Sequence, residues 1–194
     1  MSKPMNHEES VYDRTMFGFW VYLMTDLLMF AVLFAVYAVL NNSTAGGPTG
    51  RELFSPTAAL TGTLLLLTSS FTCGLAMIAV RKGNKNQVLF WLTTTYIFGL
   101  AFLSLELIEF TKLIHEGHAP SSNAFMSSFF ILVGTHGLHI LIGLLWMVII
   151  MAYVVSRGLT SNMMRKLALL SMYWHFLDIV WVFIFTIVYL RAFV

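Results

Sequence analysis

Charge is what this chain has least of. Only 10% of its 194 residues are Asp, Glu, Lys or Arg, against about 25% in an ordinary soluble domain. Hydrophobic types make up 58% and the mean hydropathy is +0.81, so a chain of this composition could not cover its own surface in water. That excludes a soluble enzyme, a disordered chain and a coiled coil. A net charge of +2 without a basic patch gives no footing for nucleic acid. Cysteine is nearly as scarce. Cys73 stands alone, which excludes an internal disulfide, a secreted disulfide scaffold, a CxxC pair and a cysteine-based zinc or iron–sulfur site. One class is left: a polytopic, all-α membrane protein.

A helix needs about 20 mainly apolar residues to cross a bilayer. Five stretches meet this, at about 17–40, 58–80, 88–110, 124–155 and 167–193. In lipid the backbone must bond within each segment, so these are helices. The pattern predicts one bundle of five transmembrane helices over 17–194, preceded by a polar, frayed segment over 1–16. The intervening loops are short. The stretch from Asn41 through Gly46, Pro48 and Gly50 is turn-rich and cannot stay helical. Its glycines lack the Lys and the spacing of a phosphate loop.

Lys and Arg set the orientation. The side holding the N-terminus and the second and fourth loops carries Lys3, Arg14, Arg81, Lys82, Lys85, Arg157, Arg165 and Lys166. The other carries Arg51, Lys112 and Arg191. The imbalance predicts a cytoplasmic N-terminus and a periplasmic C-terminus. The first span is too long for a signal core and contains Asp26, so it is read as a retained helix. Trp20, Trp91, Trp146, Tyr173 and Tyr189 lie towards span ends, where lipid anchoring or packing accounts for them.

Seven ionisable side chains fall inside the spans: Asp26, Glu106, Glu109, His136, His139, His175 and Asp178. Such groups are expensive in hydrocarbon and mark function or partners. At a rise of 1.5 Å per residue, Asp26 lies about 14 Å from the cytoplasmic end of its span, His175 about 12 Å and Asp178 about 17 Å. His139 falls near mid-membrane, and Glu106 and Glu109 towards the outer end. His136 and His139 share a helix face, as do His175 and Asp178. No Lys or Arg lies mid-span to neutralise the acids.

Three readings compete. Membrane histidines could ligate haem or a metal, although their depths do not match. The acids and His139 could line a proton or substrate path, although five dissimilar spans show no carrier repeat. The favoured reading is structural: polar groups that bond between helices and hold the bundle, its partners or lipids in register. Gly134 and Gly137 permit close helix approach, and the twelve methionines show no copper-site clustering.

Two motifs carry a resemblance. Gly134-Thr135-His136-Gly137-Leu138-His139 and Tyr173-Trp174-His175-Phe176-Leu177-Asp178-Ile179-Val180-Trp181 resemble, in order and separation, the signature of subunit III of haem–copper terminal oxidases. Phe17-Gly18-Phe19-Trp20 followed by Asp26 is similar to the start of that family's third helix. The fit is to the five-helix form, and the Asn42–Gly50 stretch resembles the branch that serves cytochrome bo-type ubiquinol oxidases.

The resemblance implies a non-redox accessory subunit, without catalytic, cofactor or metal residues of its own, in a proton-pumping inner-membrane complex that oxidises ubiquinol and reduces oxygen to water. It implies that haem b, haem o and copper reside in subunit I, the main contact, with subunits II and IV and phospholipid as further partners. Asp26 matches a carbodiimide-reactive glutamate of seven-helix members, and Glu109 an acid of the signature. His136, His139, His175 and Asp178 match structural polar positions. The alternatives are a stand-alone carrier or proton channel, or a haem-binding membrane cytochrome subunit.

Overall fold

The computed structural model describes residues 7–44, 46, 50–53 and 56–193. Among these residues every regular element is helical. In chain order they are α1 (His7–Leu40), a short α2 (Gly50–Leu53), α3 (Pro56–Arg81), α4 (Lys85–His115), α5 (Ala124–Arg157) and α6 (Ser161–Ile184), then a π-helical turn (Phe185–Leu190) and a short α7 (Arg191–Phe193). Five helices are long and apolar enough to span a membrane.

The five stretches read from the sequence all become helices, but the helices outrun them. Helix α1 starts at His7, so the segment expected to be frayed is helical from there onward. The stretch 156–166, expected to be a linker, is mostly the start of α6. Polarity marks where a helix leaves lipid, not where it ends. The true ends carry local signals. Asn84, Asn123 and Thr160 each accept a hydrogen bond from the backbone N–H three residues on, at 3.3, 2.8 and 3.3 Å, which satisfies one orphan donor of each first turn. Gly83 (φ +66°) and Gly158 (φ +72°) close α3 and α5 in a conformation that glycine adopts without steric cost. Of the turn-rich loop, Ala45 and residues 47–49 lie outside the described residues.

Helix α6 is the most enclosed of the five and α1 the least. Helix α6 packs on α3, α5 and α1, and α4 packs on α3 and α5. Trp174 is a hub where α3, α4, α5 and α6 meet. Its indole N–H donates to Ser69 Oγ on α3 at 3.0 Å. A Cβ built on Gly99 of α4 would lie 2.8 Å from its ring, and one on Gly143 of α5 would lie 3.1 Å from it. These two glycines set the close approach. Gly134 and Gly137, expected to do so, meet only ordinary contacts at 3.7 and 3.9 Å. Trp181, two turns on, donates to Thr63 Oγ1 at 3.1 Å and packs edge-on to Phe102 at 4.6 Å. Tyr173 and Tyr189 are buried rather than set at the lipid boundary.

Candidate functional site

The seven intramembrane ionisable groups fall into four settings. The first joins α1 to α5. Asp26 and His139 meet with Oδ2 and Nε2 3.7 Å apart, in ion-pair range but beyond a direct hydrogen bond. His139 Nδ1 lies 2.7 Å from the Thr135 carbonyl one turn back. A carbonyl only accepts, so Nδ1 carries the hydrogen, and Nε2 is the nitrogen left for the acid. The contact ties α1 to α5 at this depth. Tyr173 on α6 donates its hydroxyl to the His139 carbonyl at 3.0 Å, and Tyr22 lies beside Asp26. Phe30 stands 5.3 Å from the His139 ring.

The second setting is His136, one turn along α5 and fully buried. Its ring stacks on Trp181 at 5.5 Å and faces the edges or planes of Phe30 and Phe102 at 6.3 and 6.1 Å. Neither ring nitrogen has a hydrogen-bond partner among the described residues. His136 and His139 thus leave α5 into different surroundings, despite their shared face.

The third setting lies towards the C-terminal end of α4. Glu106 is buried on α4, and Glu109 is next to it. Both face Tyr189, which is buried next to Val188 in the π-helical turn.

The fourth setting is a lateral groove of about 470 Å³ between α3 and α6, lined by His175, Asp178 and Ser70. Ser70 Oγ and His175 Nδ1 form a hydrogen bond of 2.6 Å. His175 and Asp178 both line this groove. Sequence reading missed the hydroxyls that link the helices: Ser70 bonds His175, Ser69 and Thr63 accept from Trp174 and Trp181, and Thr72 of α3 bonds Thr95 of α4 at 2.8 Å. Their signal was available, as hydroxyls recurring along an otherwise apolar run.

His136, His139 and His175 do not converge. Among the described residues no three His, Cys, Asp or Glu side chains form a group that could hold a metal ion. What the arrangement offers is hydrogen bonding and close polar contact between helices.

The family profile described as cytochrome c oxidase subunit III matches residues 3–193. The chain belongs to that family. Its members are accessory subunits of haem–copper oxidases, non-catalytic parts of oxidoreductase complexes. Among curated relatives, the cytochrome bo(3) ubiquinol oxidase subunit 3 of Pseudomonas aeruginosa is 51% identical over 187 residues, covering 96% of this chain and 90% of the relative. The quinol oxidase subunit 3 of Bacillus subtilis is 44% identical over 189 residues, 97% of this chain and 93% of the relative. The cytochrome c oxidase subunit 3 of Bacillus sp. PS3 is 44% identical over 177 residues, 91% and 86%. Relatives named for quinol oxidases, at 51% and 44%, and one named for a cytochrome c oxidase, at 44%, thus all match most of this chain.

Proposed function

We propose that this chain is the non-redox subunit III of a proton-pumping ubiquinol oxidase in the bacterial inner membrane. The complex oxidises ubiquinol and reduces oxygen to water. Subunit I holds haem b, haem o and copper and is the main partner, with subunits II and IV and phospholipid in contact as well. The observation that carries this reading is the 51% identity, over nearly the whole chain, to a relative named as a cytochrome bo(3) ubiquinol oxidase subunit. The Lys and Arg asymmetry supports a cytoplasmic N-terminus and a periplasmic C-terminus.

In this role the bundle supplies scaffold rather than redox chemistry. Asp26 and His139 pin α1 to α5. Glu106 and Glu109 meet Tyr189 near the outer end. His136 fills the aromatic centre, and His175 and Asp178 mark the α3–α6 face. The test is isolation through a tag on this chain from its native membrane in mild detergent, followed by an oxygen-electrode assay. The proposal expects haem-bearing subunits in fixed ratio and oxygen uptake with ubiquinol. Uptake with reduced cytochrome c alone would overturn the donor. A monomer that moves a solute in liposomes would favour a carrier.

A further inference from the structure

The C-terminal ends of α1 and of the α6–α7 run frame a second cavity, of about 310 Å³. Part of its lining is apolar, from Phe125, Ile187 and Val188, and part is polar, from Asn41, Asn42 and Arg191. Tyr37 lines it as well, although only 4% exposed, and its hydroxyl bonds to no described residue. The Arg191 charge is close enough to act on that hydroxyl.

Arg191 is a cation without an acid. The ion pairs among the described residues are Lys112–Glu116 and His139–Asp26, and Glu106 and Glu109 face Tyr189. Its guanidinium carries donors in a planar fork. Asn41 and Asn42 add amide donors, and Tyr37 a hydroxyl. A cation set among neutral donors calls for an anion. Depth narrows which one. Arg191 follows Lys166 by twenty-five residues and Asn41 follows Arg14 by twenty-seven, about 37–40 Å of helix. That exceeds the roughly 30 Å hydrocarbon core. With Arg14 and Lys166 at one headgroup layer, the cavity lies in the other. The anion offered at that layer is phosphate, on a lipid or on a soluble ester, and its geometry matches the guanidinium fork.

We propose that this cavity binds a phosphate ester. Arg191 pairs with the phosphate, Asn41, Asn42 and Tyr37 donate to its oxygens, and Phe125, Ile187 and Val188 meet the carbon skeleton. This gives the phospholipid contact proposed above a place on the chain, and it rests on no redox partner.

The test uses material isolated through the tagged full chain in a neutral detergent. Isothermal titration calorimetry follows the binding of dioctanoyl phosphatidylglycerol, glycerol phosphate and uncharged dioctanoylglycerol. The proposal expects Arg191→Gln to weaken phosphatidylglycerol binding at least fivefold. Asn42 is exposed, so Asn42→Asp adds a like charge beside the phosphate without disturbing the core, and it should weaken binding by a similar factor. Arg81→Gln, at the opposite end of the bundle, should leave it within twofold. The same Arg191 dependence with glycerol phosphate would assign a soluble ester, and dependence with the lipid alone a membrane-borne one. Binding of both phosphate probes that is unchanged by Arg191→Gln would overturn the proposal. So would an equal loss with dioctanoylglycerol, which carries no phosphate. A chain that recovers no haem but keeps Arg191-dependent binding brings down the oxidase-subunit reading alone. Normal haem recovery without Arg191 dependence brings down the phosphate site alone.

Discussion

Gly99 has the least room of any described glycine, with a would-be Cβ 2.8 Å from the Trp174 ring. The ring cannot move freely, because Gly143 borders it on α5 and its N–H is bonded to Ser69 on α3. Gly99→Ala should therefore destabilise the bundle by about 1–3 kcal/mol, the usual range for overpacking. Gly134→Ala, with its nearest contact at 3.7 Å, should change little. Unfolding in a mixed-micelle denaturant series separates the two, and equal losses would contradict the packing assigned to Trp174. The Asp26–His139 pair makes a second prediction at this scale. Replacing either residue by Leu strands the other in a largely apolar setting, whereas replacing both does not. A double-mutant cycle should give a coupling on the order of 1 kcal/mol, within the range measured for interhelical hydrogen bonds in membranes. Zero coupling would mean that the two groups do not interact. The sequence made such groups visible because ionisable residues in an apolar run are rare. It did not show which met which, since pairing depends on helix rotation. His136 and His139 have the same spacing as His175 and Asp178, yet only the second pair shares a setting.

At the scale of elements, α1 is the least enclosed span and α6 the most. A narrow strip of α1 that includes Leu23, Asp26, Phe30 and Tyr37 is buried, at spacings of three, four and seven residues that keep it on one face. Phe30→Ala should loosen α1 from α5 and leave α3, α4 and α6 in place. Spin labels on α1 and α5 should then show a broadened distance distribution, while labels on α3 and α4 keep theirs. The contact between α3 and α6 rests on size more than on hydrogen bonding. Thr63→Ala should cost about 0.6 kcal/mol through the lost Trp181 bond. Trp181→Ala should cost several times more, since large-to-small changes at buried aromatics in soluble cores run to about 3–5 kcal/mol. The five spans were legible because hydrophobic length alone decides them. The π-helical turn at Phe185–Leu190 was not, because no local residue preference distinguishes it from a continuing α-helix. Val188 and Tyr189 are the buried residues of that turn. Helix ends past the lipid boundary escaped for a related reason, since hydropathy reports solvent and caps report backbone.

At the scale of the whole molecule, much of the outer surface is apolar. Phe17, Leu28, Phe71, Phe90 and Val39 are among the large side chains left exposed, as expected of helices that face lipid or other subunits. The internal polar links between α3 and α6, between α3 and α4, and between α1 and α5 set register. The family to which the chain belongs consists of non-catalytic accessory subunits. The central claim is that the chain supports an oxidase whose redox centres lie in other subunits. The most direct measurement is the reduced-minus-oxidised spectrum of the oxidase purified with and without this chain, normalised to subunit I. The account predicts the same haem bands at the same intensity in both preparations, with faster loss of activity during turnover when the chain is missing. Disappearance of a stoichiometric haem band with the chain, or a Soret band in the chain purified alone, would contradict it.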